Sequence, residues 1–332
     1  MTVRIGINGF GRIGRNFLRQ TLDSQLKVVA VNDVTGPATL AHLLKYDSTY
    51  GTLDRPVDHT PTSLLVDGRE IAVTAEHEPS RLDWGDRGVD VVIESTGRFR
   101  TYEAASAHLK AGARKVLLSA PGKGVDLTVV MGVNHHAYDP DRHDIVSNAS
   151  CTTNCVVPMI HVMHESFGVG KGLMTTIHGY TNDQSLLDGP HKDLRRARSA
   201  AVNVIPTSTG AARAVGLVIP ELDGAVDGIA VRVPVEDGSL TDLTLLLDRP
   251  ATADDINEAF ENAAGGRLAG VLRYATAPIV SRDVIGDSAS CVFDSLLTQA
   301  NGDFVKIFGW YDNEWGYTAR LADLAGYVGA RL

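Results

Sequence analysis

The hydrophobic pattern changes rhythm once along the chain. Through the first 150 residues, short apolar runs alternate with amphipathic stretches. Residues 3–8 are a strand-like run, the glycines of 9–14 form a turn, and Ile13, Phe17 and Leu22 give the following helix an apolar side. Residues 27–32 are a second strand, ending at Asp33. Residues 63–66 and 70–73 flank Asp67-Gly68, a dipeptide suited to a tight hairpin turn. Residues 89–94, 115–119 and 144–147 are further strands, and Thr101 N-caps a helix that stops near Gly112. Alternation of this kind predicts a parallel sheet covered by helices.

Beyond Cys151 a helix over 152–165 leads into a strand over 172–178. A polar, Arg-rich segment over 180–203 then lacks regular patterning, and a stretch that long inside a domain is usually functional or disordered. Strands follow at 228–235, 239–247, 289–296 and 304–310. Glu236-Asp237-Gly238 reads as the turn of a hairpin joining the first two. The pattern predicts a mainly antiparallel second sheet, closed by a helix over 317–331. A chain of 332 residues suits two domains.

Composition narrows the function classes. The chain is 44% hydrophobic and 21% charged, an ordinary globular balance. Its 31 Lys and Arg against 40 Asp and Glu give a net charge of −9, which disfavours a nucleic-acid binder and leaves room only for local anion sites. Three cysteines, Cys151, Cys155 and Cys291, do not suggest a disulfide framework. No signal peptide or membrane-length apolar run is visible, so a cytoplasmic protein without membrane partners is expected.

Two motifs carry chemistry. Gly9-Phe10-Gly11-Arg12-Ile13-Gly14 fits the G-x-G-x-x-G fingerprint, follows a strand and opens a helix. There the first Gly permits the turn, the second lets the backbone approach a pyrophosphate, and the third lets helix and strand pack closely. The helix start offers the N–H groups of Arg12 and Ile13 to phosphate charge. Asp33 stands where a carboxylate binds the ribose hydroxyls of NAD and repels a 2′-phosphate; a surface Asp ending a strand is the alternative. In the second motif, Ser150-Cys151-Thr152-Thr153-Asn154-Cys155, a cysteine sits at a helix start, which favours thiolate. Flanking hydroxyls on Ser150 and Thr152 suit an anion. Cys155 reads as a buried packing residue, which by composition alone is also the alternative for Cys151. His178 ends an apolar strand and is the candidate base among 11 histidines. His161 and His164 lack a third ligand, so no metal is expected.

These motifs, with His178-Gly179-Tyr180-Thr181 and the run from Trp310 through Asn313 to Tyr317, resemble the phosphorylating glyceraldehyde-3-phosphate dehydrogenases along the whole chain. The resemblance implies an α/β Rossmann-type, parallel-sheet NAD domain over 1–150. It implies an α+β catalytic domain with a mainly antiparallel sheet over 151–315, and a C-terminal helix over 316–332 that returns to the NAD domain. Cys151 is implied as nucleophile and His178 as its base. Gly9, Gly11, Arg12, Ile13, Asp33, His77, Ser119 and Asn313 are implied to hold NAD. Thr181 and Arg232, with Asp183 close by, are implied for the substrate phosphate. Ser150, Thr152, Arg196, Thr209 and Gly210 are implied for inorganic phosphate. A glycolytic homotetramer is implied, with residues 180–203 as subunit contact. His77 stands where relatives often carry Arg, and Gly189 where some NAD-specific relatives carry Leu. A relative acting on erythrose 4-phosphate is the nearest rival. A hydrolysing thiol aldehyde dehydrogenase and a non-enzymatic NAD-binding interaction module are further ones.

Overall fold

Parallel pairing of fully buried strands builds the first of two units in the computed structural model, which describes residues 2–332. That unit comprises the residues up to Val129, His135–Ala149 and Thr318–Leu332. The second comprises Val130–Asn134 and Ser150–Tyr317.

The first unit holds a nine-stranded sheet. Its order is Leu127–Thr128, Ile145–Ser147, Lys115–Leu118, Val91–Glu94, Val3–Asn8, Leu26–Asn32, Arg69–Thr74, Ser63–Val66 and Val57–His59. The first seven strands pair in parallel. The last two add antiparallel pairs. Val91–Glu94 and Lys115–Leu118 are buried at every position, as strands covered on both faces must be. The Asp67-Gly68 hairpin forms, with both residues at positive φ (51° and 73°). The Tyr102–Lys110 helix starts on Thr101, whose hydroxyl accepts from Ala104 N–H at 3.2 Å. The helix Pro37–Lys45 is absent from the sequence reading, although Leu40, Ala41 and Leu44 recur at helical spacing and Pro37 stands at its first position.

The second unit is built on an eight-stranded mixed sheet in which antiparallel pairs predominate. Ser239–Leu247 alternates buried and part-exposed positions, as a strand with one face on the core does. The helix Cys151–Phe167 packs on this sheet and against the helix Ala253–Gly265. The latter was missed in the sequence although Thr252 and Asp255 form a capping box. Residues 180–199 contain no helix or strand. Their ion pairs Arg196–Asp183 and Arg198–Asp188 hold the segment.

One sequence expectation fails here. Strands Val226–Val233 and Ser239–Leu247 do not form a hairpin. Val169–Gly179 lies between them, parallel to the first and antiparallel to the second. The connection through residues 234–238 crosses the end of that middle strand, where Tyr180 N–H donates to Val235 O at 2.9 Å. Gly179 eases the crossing, since a Cβ there would stand 3.0 Å from Val235 O. A turn signal specifies reversal of the chain, not adjacency of the strands it joins.

Buried packing also fixes two of the three thiols. Cys155 and Cys291 are both 0% exposed and flank Gly309, where a Cβ would meet Cys291 Sγ and Met159 Sδ at 2.6 Å each.

The glycines give a prediction of opposite signs. A Cβ on Gly14 would meet Gly9 O at 2.3 Å, whereas one on Gly326, inside the Trp315–Gly329 helix, meets nothing within 4 Å. Gly14→Ala should destabilise by about 1–3 kcal/mol through overpacking. Gly326→Ala should stabilise by about 0.5–1 kcal/mol through lost backbone entropy of the unfolded chain. Unfolding midpoints of both variants check the pair, and equal shifts would contradict it.

Candidate active site

In the first unit, the glycine turn follows the strand Val3–Asn8, and Gly9 adopts φ +93°. A Cβ at Gly9 would stand 2.7 Å from Thr96 N, while one at Gly11 meets nothing within 4 Å. Gly11 is the N-cap of the helix Arg12–Thr21, so Arg12 and Ile13 lie in its first turn. The Arg12 side chain turns to Asp47 and lies over the Tyr50 ring. Asp33 ends the neighbouring strand and braces the turn: its carboxylate accepts from Phe10 N–H at 2.8 Å and Thr35 N–H at 2.9 Å. Beside these groups is a cavity of 240 Å³ lined by Gly9, Gly11, Asp33, His77, Thr96 and Phe99 among others. Ser119 lies at the end of Lys115–Leu118, donating its N–H to Glu94 O at 3.0 Å; it does not line that cavity. An open backbone approach, a helix start and a ribose-suited carboxylate around one cavity fit a dinucleotide.

In the second unit, the helix Cys151–Phe167 starts on Ser150, whose Oγ accepts from Thr153 N–H at 3.0 Å. Cys151 is the first helical residue and is partly exposed. Its Sγ lies 3.4 Å from Nε2 of His178, which is 4% exposed near the end of Val169–Gly179. Parallel register sets Arg232 directly beside His178. Arg232 Nη1 is 2.8 Å from His178 Nδ1 and 2.9 Å from Gly179 O. Gly179 O also lies 2.7 Å from Nδ1. Nδ1 thus has both a donor, Arg232 Nη1, and an acceptor, Gly179 O, within reach. In the tautomer with the proton on Nδ1, Gly179 O accepts it, Arg232 Nη1 donates to Gly179 O, and the Nε2 lone pair faces the sulfur.

Charge acts on this pair from several sides. Burial, the largest influence, pushes the Cys151 thiol up to about 11; the Arg232 charge and hydrogen bonds from Thr152 pull it down. Burial and then Arg232 push His178 down to about 3. The sequence expectation that a helix start favours thiolate is thus opposed by desolvation, and Arg232 is the cation that helps offset it.

Arg232 is notable for what it lacks. Among the described residues no carboxylate pairs with it, and its buried Nε has no hydrogen-bond partner. Arg196 is the opposite case. It donates to Asp183 at 2.6 Å, Thr207 Oγ1 at 2.9 Å and Ser208 O at 3.2 Å. Asp183 thus pairs with Arg196 and also acts electrostatically on Arg232. Thr181 N–H reaches Gln184 Oε1 at 3.4 Å. Thr209 Oγ1 accepts from Ala211 N–H at 3.2 Å, and Gly210 is exposed with space around it. Thr152 Oγ1 lies 2.8 Å from Tyr311 OH. Asn313 is 5% exposed, and its Oδ1 accepts from Ser239 Oγ at 2.6 Å.

Sequence reasoning missed Tyr311 and Ser239. Tyr311 OH links Thr152 to Thr176 at 2.8 Å each, and its ring meets His178 edge-on at 5.9 Å. Ser239 links Gly179 N–H to Asn313. Neither carries a local signal, because each acts only through strand neighbours that are distant in sequence. His161 and His164 have structural partners, Glu165 and Val169 N–H respectively.

Known proteins match both units. Residues 3–102 match the family described as glyceraldehyde 3-phosphate dehydrogenase, NAD binding domain, and residues 150–313 match its C-terminal domain. The glyceraldehyde-3-phosphate dehydrogenase of Streptomyces coelicolor is 57% identical over 336 aligned residues, covering all of both chains. Glyceraldehyde-3-phosphate dehydrogenase 2 of Streptomyces avermitilis is 56% identical over 335, again covering both fully. The enzyme of that name from Geobacillus stearothermophilus is 54% identical over 333, covering all of this chain and 99% of its own. With both domains matched and identity of this order along the full length, the chain belongs to the glyceraldehyde-3-phosphate dehydrogenase family of NAD-dependent oxidoreductases.

Proposed function

We propose that the protein catalyses the NAD-dependent, phosphate-consuming oxidation of glyceraldehyde 3-phosphate to 1,3-bisphosphoglycerate. The observation that carries this reading is an arginine without a countercharge, Arg232, beside a cysteine–histidine pair at 3.4 Å. A guanidinium left unmatched at such a place suits a phosphorylated substrate, since burying an unpaired cation is otherwise costly.

The chemistry follows from the groups. Cys151 Sγ adds to the aldehyde carbon while His178 Nε2 takes the thiol proton and returns it to the developing oxyanion, which the Cys151 N–H at the helix start stabilises, so that a neutral hemithioacetal and a free Nε2 result. His178 then takes the hydroxyl proton of the hemithioacetal as its C–H bond breaks. NAD supplies the hydride acceptor. Phosphate attacks the resulting Cys151 thioester, releasing the acyl phosphate and the thiol. Thr181 and Arg232 are assigned to the substrate phosphate. Ser150, Thr152, Arg196, Thr209 and Gly210 are assigned to inorganic phosphate. The backbone of Gly9, Gly11, Arg12 and Ile13 is assigned to the pyrophosphate and Asp33 to the adenosine ribose. His77 is assigned to the adenine edge and Ser119 to the cofactor groove. Ser239 occupies the Asn313 carbonyl, which leaves its NH₂ to donate to the nicotinamide carboxamide.

A homotetramer in the cytoplasm is part of the proposal. Leu186, Leu187 and Leu194 are 75–80% exposed on the irregular segment, which supports self-association through it. No helix among the described residues is long and apolar enough to cross a membrane.

Following NADH formation with glyceraldehyde 3-phosphate or erythrose 4-phosphate, each with and without inorganic phosphate, tests the reaction. Sustained turnover should require phosphate and prefer the three-carbon substrate. Phosphate-independent turnover would favour the hydrolytic rival.

The two arginines should separate. Arg232→Ala should raise the KM for the aldehyde phosphate about ten- to a hundredfold, the worth of a charge-assisted contact. Arg196→Ala should mainly raise the KM for inorganic phosphate. Initial rates varying each anion in turn would reveal it, and unchanged constants in both variants would refute the assignment.

Arg232 also sets a pH dependence. Its charge lowers the Cys151 pKa, so Arg232→Leu should move the alkylation profile of Cys151 toward higher pH and slow labelling at fixed pH. Iodoacetamide rates across a pH series check this; a shift toward lower pH would contradict it.

A further inference from the structure

One buried carboxylate of the first unit has no part in the mechanism above. Glu94 ends the strand Val91–Glu94 and is 3% exposed. Each of its oxygens takes two hydrogen bonds. Oε2 accepts from Asn8 Nδ2 at 2.6 Å and lies 3.0 Å from His108 Nε2. Oε1 accepts from Thr96 N–H at 2.8 Å and Thr96 Oγ1 at 2.5 Å.

The state of the histidine is settled by its other neighbour. Trp84 Nε1, which can only donate, points at His108 Nδ1 at 3.0 Å. Nδ1 therefore accepts, Nε2 carries the hydrogen, and His108 is neutral and donates to Glu94. Four donors thus converge on one carboxyl group.

The bonds continue outward. Asn8 Oδ1 accepts from Asn32 Nδ2 at 2.7 Å. Asn32 in turn binds Glu76 O and Glu76 N–H, both at 2.8 Å. Asn8, Asn32, Glu76 and Thr96 all line the 240 Å³ cavity; Glu94, His108 and Trp84 do not. The carboxylate thus stands one layer behind the cavity wall and ties three strand ends of that wall together.

We propose that Glu94 is a positioning residue for the dinucleotide, fixing Asn8 ahead of the glycine turn and Thr96 beside it. The proposal rests on the reading of this cavity as the NAD site. Glutamine is a sharp probe. Its single NH₂ must face two donors whichever way the amide is turned, so the shape stays while one side of the wall loses its anchor.

Calorimetric titration of NAD into the cofactor-stripped full chain tests it, alongside steady-state kinetics and the indole N–H resonance of Trp84. Glu94→Gln should weaken NAD binding about tenfold or more, as expected for losing charge-assisted bonds. The KM for NAD should rise, with kcat at saturating NAD held within about twofold. His108→Phe keeps a ring against Phe99, which it meets at 6.2 Å, but removes the N–H; it should weaken NAD binding severalfold and shift the Trp84 resonance. It decides the matter if Glu94→Gln does not fold. Wild-type NAD affinity in the folded variants, or lost kcat and stability with KM for NAD unchanged, overturns the positioning role. Asp33→Ala separates the two readings. If it weakens NAD binding while the Glu94 and His108 variants do not, only the role of Glu94 falls. If it too binds as wild type, the cavity reading falls and takes the proposal with it.

Discussion

The proposed chemistry depends on a cation held against a buried imidazole. Parallel register between Val169–Gly179 and Val226–Val233 sets Arg232 beside His178, and two main-chain-ordered strands leave neither side chain much choice of place. Burial and then the Arg232 charge depress the imidazole's affinity for a proton, while the same charge opposes the burial that raises the thiol's. In the proposed reaction this readies the pair for a proton that moves when an anionic substrate arrives. A phosphate facing Arg232 would cancel the repulsion and let His178 hold the proton it takes. Substrate charge and base strength are linked through one guanidinium.

The two arginines differ because their surroundings do. Arg196 lies on a segment without helix or strand, among Asp183, Asp193 and Thr207, and its hydrogen-bonding capacity is largely spent within the protein. Arg232 lies in a strand between apolar neighbours and has only backbone and imidazole to bond. An anion must displace a directly paired Asp183 at the first, whereas at the second Asp183 acts only through space, without an ion pair. That asymmetry suits a reaction in which one anion enters with the substrate and the other arrives later at the thioester.

Much of this was legible in the chain because it is local. Gly9 to Gly14, Thr101, Asp67-Gly68 and Ser150-Cys151 are signals whose meaning is settled within a few residues. Position at a strand end singled out His178 as candidate base and the family resemblance joined it to Cys151, but nothing in a sequence gives a distance across 27 positions. What escaped was non-local. The strand inserted between Val226–Val233 and Ser239–Leu247 could not be seen from a turn signal that is the same for adjacent and separated strands. Tyr311 and Ser239 gain their parts from register, and Glu94 looked like an ordinary strand end until four donors surrounded it. The helix Ala253–Gly265 was a lapse of another kind, since Thr252 and Asp255 had signed its start.

The sulfur packing around Gly309 has a use at the bench. Cys155 and Cys291 are wholly enclosed, and only Cys151 meets solvent. A thiol reagent thus counts one group per chain while the second unit is intact and three once it opens. The protein carries its own stoichiometric gauge of nativeness, readable without a tag, and a preparation titrating between those integers is a mixture whose proportions can be calculated directly.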